Sequence, residues 1–126
     1  MKIKILKQSG LMAMLFTAIF LAGTLQAHHS YALFDKTVTQ TIAGTLYAVE
    51  WKNPHSWIWI SVVNDAGEKE LWGLEGGSPA ALLELGYTKN NLVVGTPVTA
   101  TLYPLKDGRT GGALVELKFA DGTSTK

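Results

Sequence analysis

From Trp57 to Val63 the chain alternates strictly: Ile58, Ile60 and Val62 fall on one parity and Trp57, Trp59 and Ser61 on the other. A period of two belongs to a strand with one face on a core, because successive strand side chains point to opposite faces. A helix would scatter those three aliphatic residues around its axis. The segment therefore commits the chain to a sheet that buries Ile58, Ile60 and Val62 and turns Trp57 and Trp59 outward.

The flanking sequence extends this sheet. A first strand is predicted over Val38–Trp51, with Ile42, Leu46 and Ala48 on one face and Thr41, Thr45 and Tyr47 on the other; Gly44 marks a bulge or bend. Lys52, Asn53 and Pro54 end it, and the second strand runs over Ser56–Val63. The turn residues Asn64, Asp65, Ala66 and Gly67 join it as a hairpin to a third strand over Lys69–Leu74. Ser78 followed by Pro79, with a stopping Gly86, frames a short helix. Two further strands follow, one through Val98, Ala100 and Leu102, the other through Val115, Leu117 and Phe119, joined by the glycine-rich turn Asp107–Gly112. Three strands, a helix and two strands is the order of an OB-fold. The expected fold is mainly β, a small five-stranded OB-fold-like barrel with one short helix between strands three and four. A β-sandwich is the other option, but it asks for about seven strands.

Residues 1–27 read differently. Lys2, Lys4 and Lys7 precede an apolar run, Leu11–Ala22, and small or polar residues lead to Ala27. This is the order of a secretory signal peptide. The apolar run is too short for a spanning helix, which needs about 20 residues, so no permanent membrane anchor is expected. Cleavage after Ala27 leaves a single domain, 28–126; a cut after Ala32, with Ser30 at the minus-three position, suits the small-residue rule but lies far beyond the apolar run. The expected location is the periplasm or the exterior. There is no cysteine, so the exported domain has no disulfide and rests on its core. Loss of the three signal lysines turns eleven basic against ten acidic residues into eight against ten. That mildly acidic balance argues against nucleic acid as a partner.

All three histidines lie at the expected mature N-terminus, His28 and His29, or in the loop after strand one, His55. An N-terminal histidine can chelate through its α-amine, whose pKa is about 8, together with its own Nδ1. Nitrogen ligands of this kind suit copper(II). His28, His29 and His55 are thus a candidate transition-metal set; the alternative is that the pair are loose surface residues and His55 an ordinary turn residue. The outward Trp57 and Trp59 lie on the strands that form the usual OB-fold ligand face, beside the loop holding His55 and the loop Lys106–Gly112. They offer a stacking platform for a sugar, peptide or aromatic ligand, unless Tyr31, Leu33 and Phe34 fold over them. No nucleophile elbow, phosphate loop or paired carboxylates appear, and no enzyme is expected. Glu75, between Trp72 and Ser78, is the carboxylate of most interest.

These segments resemble a bacterial family of small exported proteins known only as a domain of unknown function. The resemblance rests on His28 to Ser30, Phe34 and Asp35, Glu50 to His55 with Trp57, Trp72 to Pro79, and Lys106 to Gly112. Lys106 stands where arginine is usual, and Gly76 and Gly77 precede the serine. The resemblance implies export and a shared surface built from His28, His29, Glu50, Trp51, Asn53, His55, Trp57, Trp72, Glu75 and the glycine loop. It implies no reaction. Two functions are therefore expected: a small exported protein binding copper or another transition metal through His28, His29 and His55, or a metal-free module binding an organic ligand or a protein partner. The second would use Trp51, Asn53, Trp57, Trp59, Trp72 and Glu75, with Lys106 and Arg109 from the glycine loop.

Overall fold

One strand long enough to serve two neighbours organises the molecule. In the computed structural model, which describes residues 32–123, β1 is Gln40–Glu50. Its first half, Gln40 to Thr45, pairs antiparallel with β4 (Pro97–Pro104), and its second half, Thr45 to Glu50, pairs antiparallel with β2 (Trp57–Val63). Gly44 sits at the handover. A β-carbon there would collide with the Ser61 carbonyl oxygen and the Ile60 side chain, so the absence of a side chain lets the strands approach.

The β2 strand returns through a hairpin to β3 (Lys69–Glu75), and Asn64 Oδ1 organises the turn by accepting from the backbone N–H groups of Ala66 and Glu68. The helix α1 (Pro79–Glu84) starts where its capping residues place it. Ser78 Oγ accepts from the Ala81 N–H at 3.2 Å, and proline occupies the first turn, where its missing N–H costs nothing. Finally β5 (Gly111–Phe119) pairs antiparallel with β4 and meets β3 in parallel, Gly73 to Glu75 against Gly111 to Ala113. The circuit β1-β2-β3-β5-β4 closes as a barrel. Five strands in this order, with the helix between the third and the fourth, make the OB-fold expected from the sequence.

The parallel β3–β5 seam is only three residues long on each side, which leaves strand edges without a ladder partner. Side chains fill the gap. Tyr87, 2% exposed, accepts from the Leu117 N–H at 2.9 Å and directs its own hydroxyl at the Leu117 carbonyl, 3.5 Å away. Thr110 Oγ1 donates to the Leu71 carbonyl at 3.2 Å. Leu82 of α1 is buried with Ile58, Ile60, Leu74 and Leu117 in the interior.

Two register shifts change the faces expected from alternation. In β1 the shift lies between Leu46 and Ala48, not at Gly44: Leu46 pairs with Ile60, and Ala48 with Trp59. Tyr47 is the additional residue. Beyond it the parity flips, so Ala48 joins the outward face and Val49 packs against the core opposite Ile58. In β5 the shift passes over Val115, since Thr101 pairs with Glu116 and Leu102 with Leu114. Val115 is accordingly 45% exposed rather than aligned with buried Leu117.

The chain divides into two units, Met1–Leu33 and Phe34–Lys126, and this barrel is the second. Among the described residues no helix is long and apolar enough to cross a membrane.

Candidate ligand-binding face

The bulge at Tyr47 has a chemical result. With the parity flipped, Glu50 lies on the outer face, where the register aligns Glu50, Trp57 and Glu75 in one row across β1, β2 and β3. The next row on the same face is Ala48, Trp59 and Gly73. An aromatic residue is thus flanked by two carboxylates, and a second aromatic residue by two very small side chains.

Trp57 and Trp59 stack, with ring centroids 5.9 Å apart and planes inclined by 23°. Such offset aromatic pairs contribute about 0.5–1.5 kcal/mol beyond their burial. Trp59 lies directly over Gly73: a β-carbon there would come within 2.6 Å of Trp59 Cζ3. Both indoles are half-buried, so they are less bare than the alternation predicted, because they cover one another and Gly73 seats Trp59.

Hydrogen bonds fix the rim. Trp59 Nε1 donates to Glu50 Oε1 at 3.1 Å, and the Lys52 ammonium donates to Glu50 Oε2. The Lys52 ammonium first, and the Trp59 indole after it, hold the Glu50 carboxyl below the usual glutamate range. On the other side of Trp57, His55 Nδ1 lies 2.5 Å from Glu75 Oε1, with the two side chains 27% and 10% exposed. The loop delivers His55 there because Ser56, fully buried, is tied to the segment after β3. The Ser56 N–H donates to the Gly77 carbonyl and the Gly76 N–H to the Ser56 carbonyl, each at 2.8 Å.

The residues expected at the site separate into groups. Glu50, His55, Trp57, Trp59 and Glu75 come together. Trp72 does not: it pairs with Ile60 and packs against the core, on the opposite face from Trp57 and Trp59. Its parity with Leu74 already places it there. Trp51 also packs against the core and lines a separate cleft with Pro79, Leu83 and Lys89. Asn53 is exposed in the β1–β2 loop, where it precedes Pro54 in a cis peptide. Lys106 and Arg109 are exposed in the β4–β5 loop, and Arg109 Nε donates to Asp107 Oδ2 at 2.8 Å. Phe34 is buried, and its backbone bridges to Leu105 at the end of β4. Of the copper set only His55 belongs to the described residues; His28, His29 and Tyr31 lie outside them. Among the described residues no three His, Cys, Asp or Glu side chains are grouped to hold a metal ion.

Lys52 and Gly73 were not singled out from sequence. The signal for Gly73 was a glycine inside a strand, which often marks a close approach. Lys52 carried none, because its role depends on the flipped position of Glu50.

Residues 17–115 match a family described as one of unknown function, DUF6152. The chain belongs to this family. Comparison with curated proteins finds no match. Among solved structures, the crystal structure of the mitochondrial single-stranded DNA binding protein Rim1 from S. cerevisiae is similar at 8% sequence identity and a TM-score of 0.48, covering 66% of this chain and 94% of that one.

Proposed function

We propose that this DUF6152 member is a small exported binding module that holds an organic ligand against the Trp57 and Trp59 face. The carrying observation is the stacked indole pair on the outer face of β2, framed in register by Glu50 and Glu75. Indoles supply broad apolar contact at little conformational cost, and the carboxylates and His55 supply directional polar groups around them. Export rests on the basic and apolar order of residues 1–27.

The test uses the indole N–H resonances of Trp57 and Trp59 as reporters while probes of three classes are titrated in: an alkylammonium, a methyl glycoside and a small aromatic acid. At least one class should move both resonances saturably. Trp59→Ala should weaken that probe about tenfold, the factor that accompanies loss of roughly 1.4 kcal/mol. If none of the probes moves these resonances, or if Trp51 and Trp72 respond equally, the face is not the binding surface.

A further inference from the structure

The Trp57 and Trp59 face already holds an ammonium group, its own. Lys52 Nζ rests on Glu50 Oε2, while Glu50 Oε1 accepts from the Trp59 indole N–H. The chain has in effect placed a primary amine on the carboxylate that Trp59 orients. The Lys52 side chain is 64% exposed against 39% for Glu50. The cation therefore comes from the solvent side, and an exposed ion pair of this kind is held weakly.

We infer that the ligand of this face is an organic cation, an alkylated ammonium that replaces Lys52 as the countercharge of Glu50 and packs its alkyl substituents on Trp57 and Trp59. This rests on the reading of the face as a binding surface, and it selects among the ligand classes that stack on indoles. A cation gains from the aromatic rings as well as from the carboxylate. A neutral glycoside that displaced Lys52 would leave Glu50 without its countercharge, and an anion would meet Glu50 and Glu75 on either side of Trp57. The hydrogen bond from Trp59 fixes one carboxylate oxygen and leaves the other directed at the incoming cation.

The experiment compares choline with dimethylbutanol, its uncharged isostere, and with methyl glucoside, all followed through the Trp57 and Trp59 indole resonances of the complete exported protein. Choline should bind about tenfold more tightly than dimethylbutanol, corresponding to one charge contact. Lys52→Gln, at an exposed side chain, should strengthen choline binding several-fold by removing the internal competitor. Glu50→Gln keeps an oxygen to accept from Trp59 Nε1 and removes the charge; it should weaken choline about tenfold and leave dimethylbutanol unchanged. Equal binding of choline and dimethylbutanol, or no response to either substitution, overturns the cation inference and leaves stacking on the tryptophans intact. Tighter binding of methyl glucoside than of choline does the same. Silence of both resonances to all three probes overturns the cation inference, and silence to the aromatic acid as well overturns the binding surface itself.

Discussion

Two aromatic side chains in this barrel fix a polar atom across the fold, and they end differently. In the β3–β5 seam, Tyr87 is almost completely buried and its hydroxyl engages the N–H and carbonyl of one residue, Leu117. On the outer face, the Trp59 indole N–H engages Glu50, an exposed side chain that also holds Lys52. The partner of Tyr87 is backbone fixed in a strand. The partner of Trp59 is a side chain that can exchange Lys52 for another cation. Polar atoms held by fixed backbone serve stability, whereas those held by rearrangeable side chains stay available for recognition.

The largest effect should come from breaking the closed side of this contrast. Tyr87→Phe retains the ring and removes the hydroxyl, so the buried Leu117 N–H loses its acceptor; the cost should be about 1–3 kcal/mol. Denaturant unfolding measures it, and the Trp57 and Trp59 resonances should stay in place. A stability equal to that of the parent would mean that the Tyr87 hydroxyl does not hold the seam.

Gly73→Ala acts on the open side. Its methyl group occupies the seat of the Trp59 ring, which must move outward, so the stack with Trp57 and the hydrogen bond to Glu50 should both weaken. The stability loss should be about 1 kcal/mol, at the lower end for overpacking, because the ring can swing into solvent. Near-ultraviolet circular dichroism and the Trp59 indole resonance should change more than the unfolding midpoint. Unchanged tryptophan signals would break the link between Gly73 and the aromatic pair.

The smallest effect is electrostatic. Folding lowers the Glu50 carboxyl below its ordinary value, chiefly through Lys52. The contribution of this group is therefore complete above the ordinary glutamate value and lost as pH falls through the lowered one. The Trp59 indole resonance should titrate with a midpoint below that of glutamate in an unstructured peptide. A midpoint at or above that value would separate Trp59 from a charged Glu50.

What the sequence made legible was local. The alternation of Trp57–Val63 reported which side of β2 is buried, Ser78 and Pro79 reported the helix start, and Asn64–Gly67 reported the hairpin, because each signal lies within a few residues of its effect. The helix ends at Glu84, with Leu85 as its cap and Gly86 just beyond at a φ of 84°, as a stopping glycine should be, while β3 continues one residue past Leu74 to Glu75, a small difference at a boundary set by pairing rather than propensity. The face itself was legible only in part. Trp57 and Trp59 followed from parity, but Glu50 reaches them through a bulge, and Gly73 lies beneath Trp59 through a cross-strand register. Both depend on partners distant in sequence. Trp72 was drawn into the surface by resemblance although its parity with Leu74 pointed inward.

The bulge at Tyr47 finally makes the recognition face a matter of counting. Substituting Tyr47, whose side chain is exposed, leaves the number of residues between Leu46 and Glu50 untouched, and with it every pairing beyond. Deleting Tyr47 would remove the bulge and join Leu46 to Ala48 opposite Ile60 and Trp59 as before, so Val49 would still face Ile58 and Glu50 would still stand beside Trp57. Neither an alanine scan nor a deletion at Tyr47 would therefore change which side chains this surface presents. During divergence this point could lose a residue without consequence for the face, whereas the same loss from a straight part of β1 would turn every following side chain over.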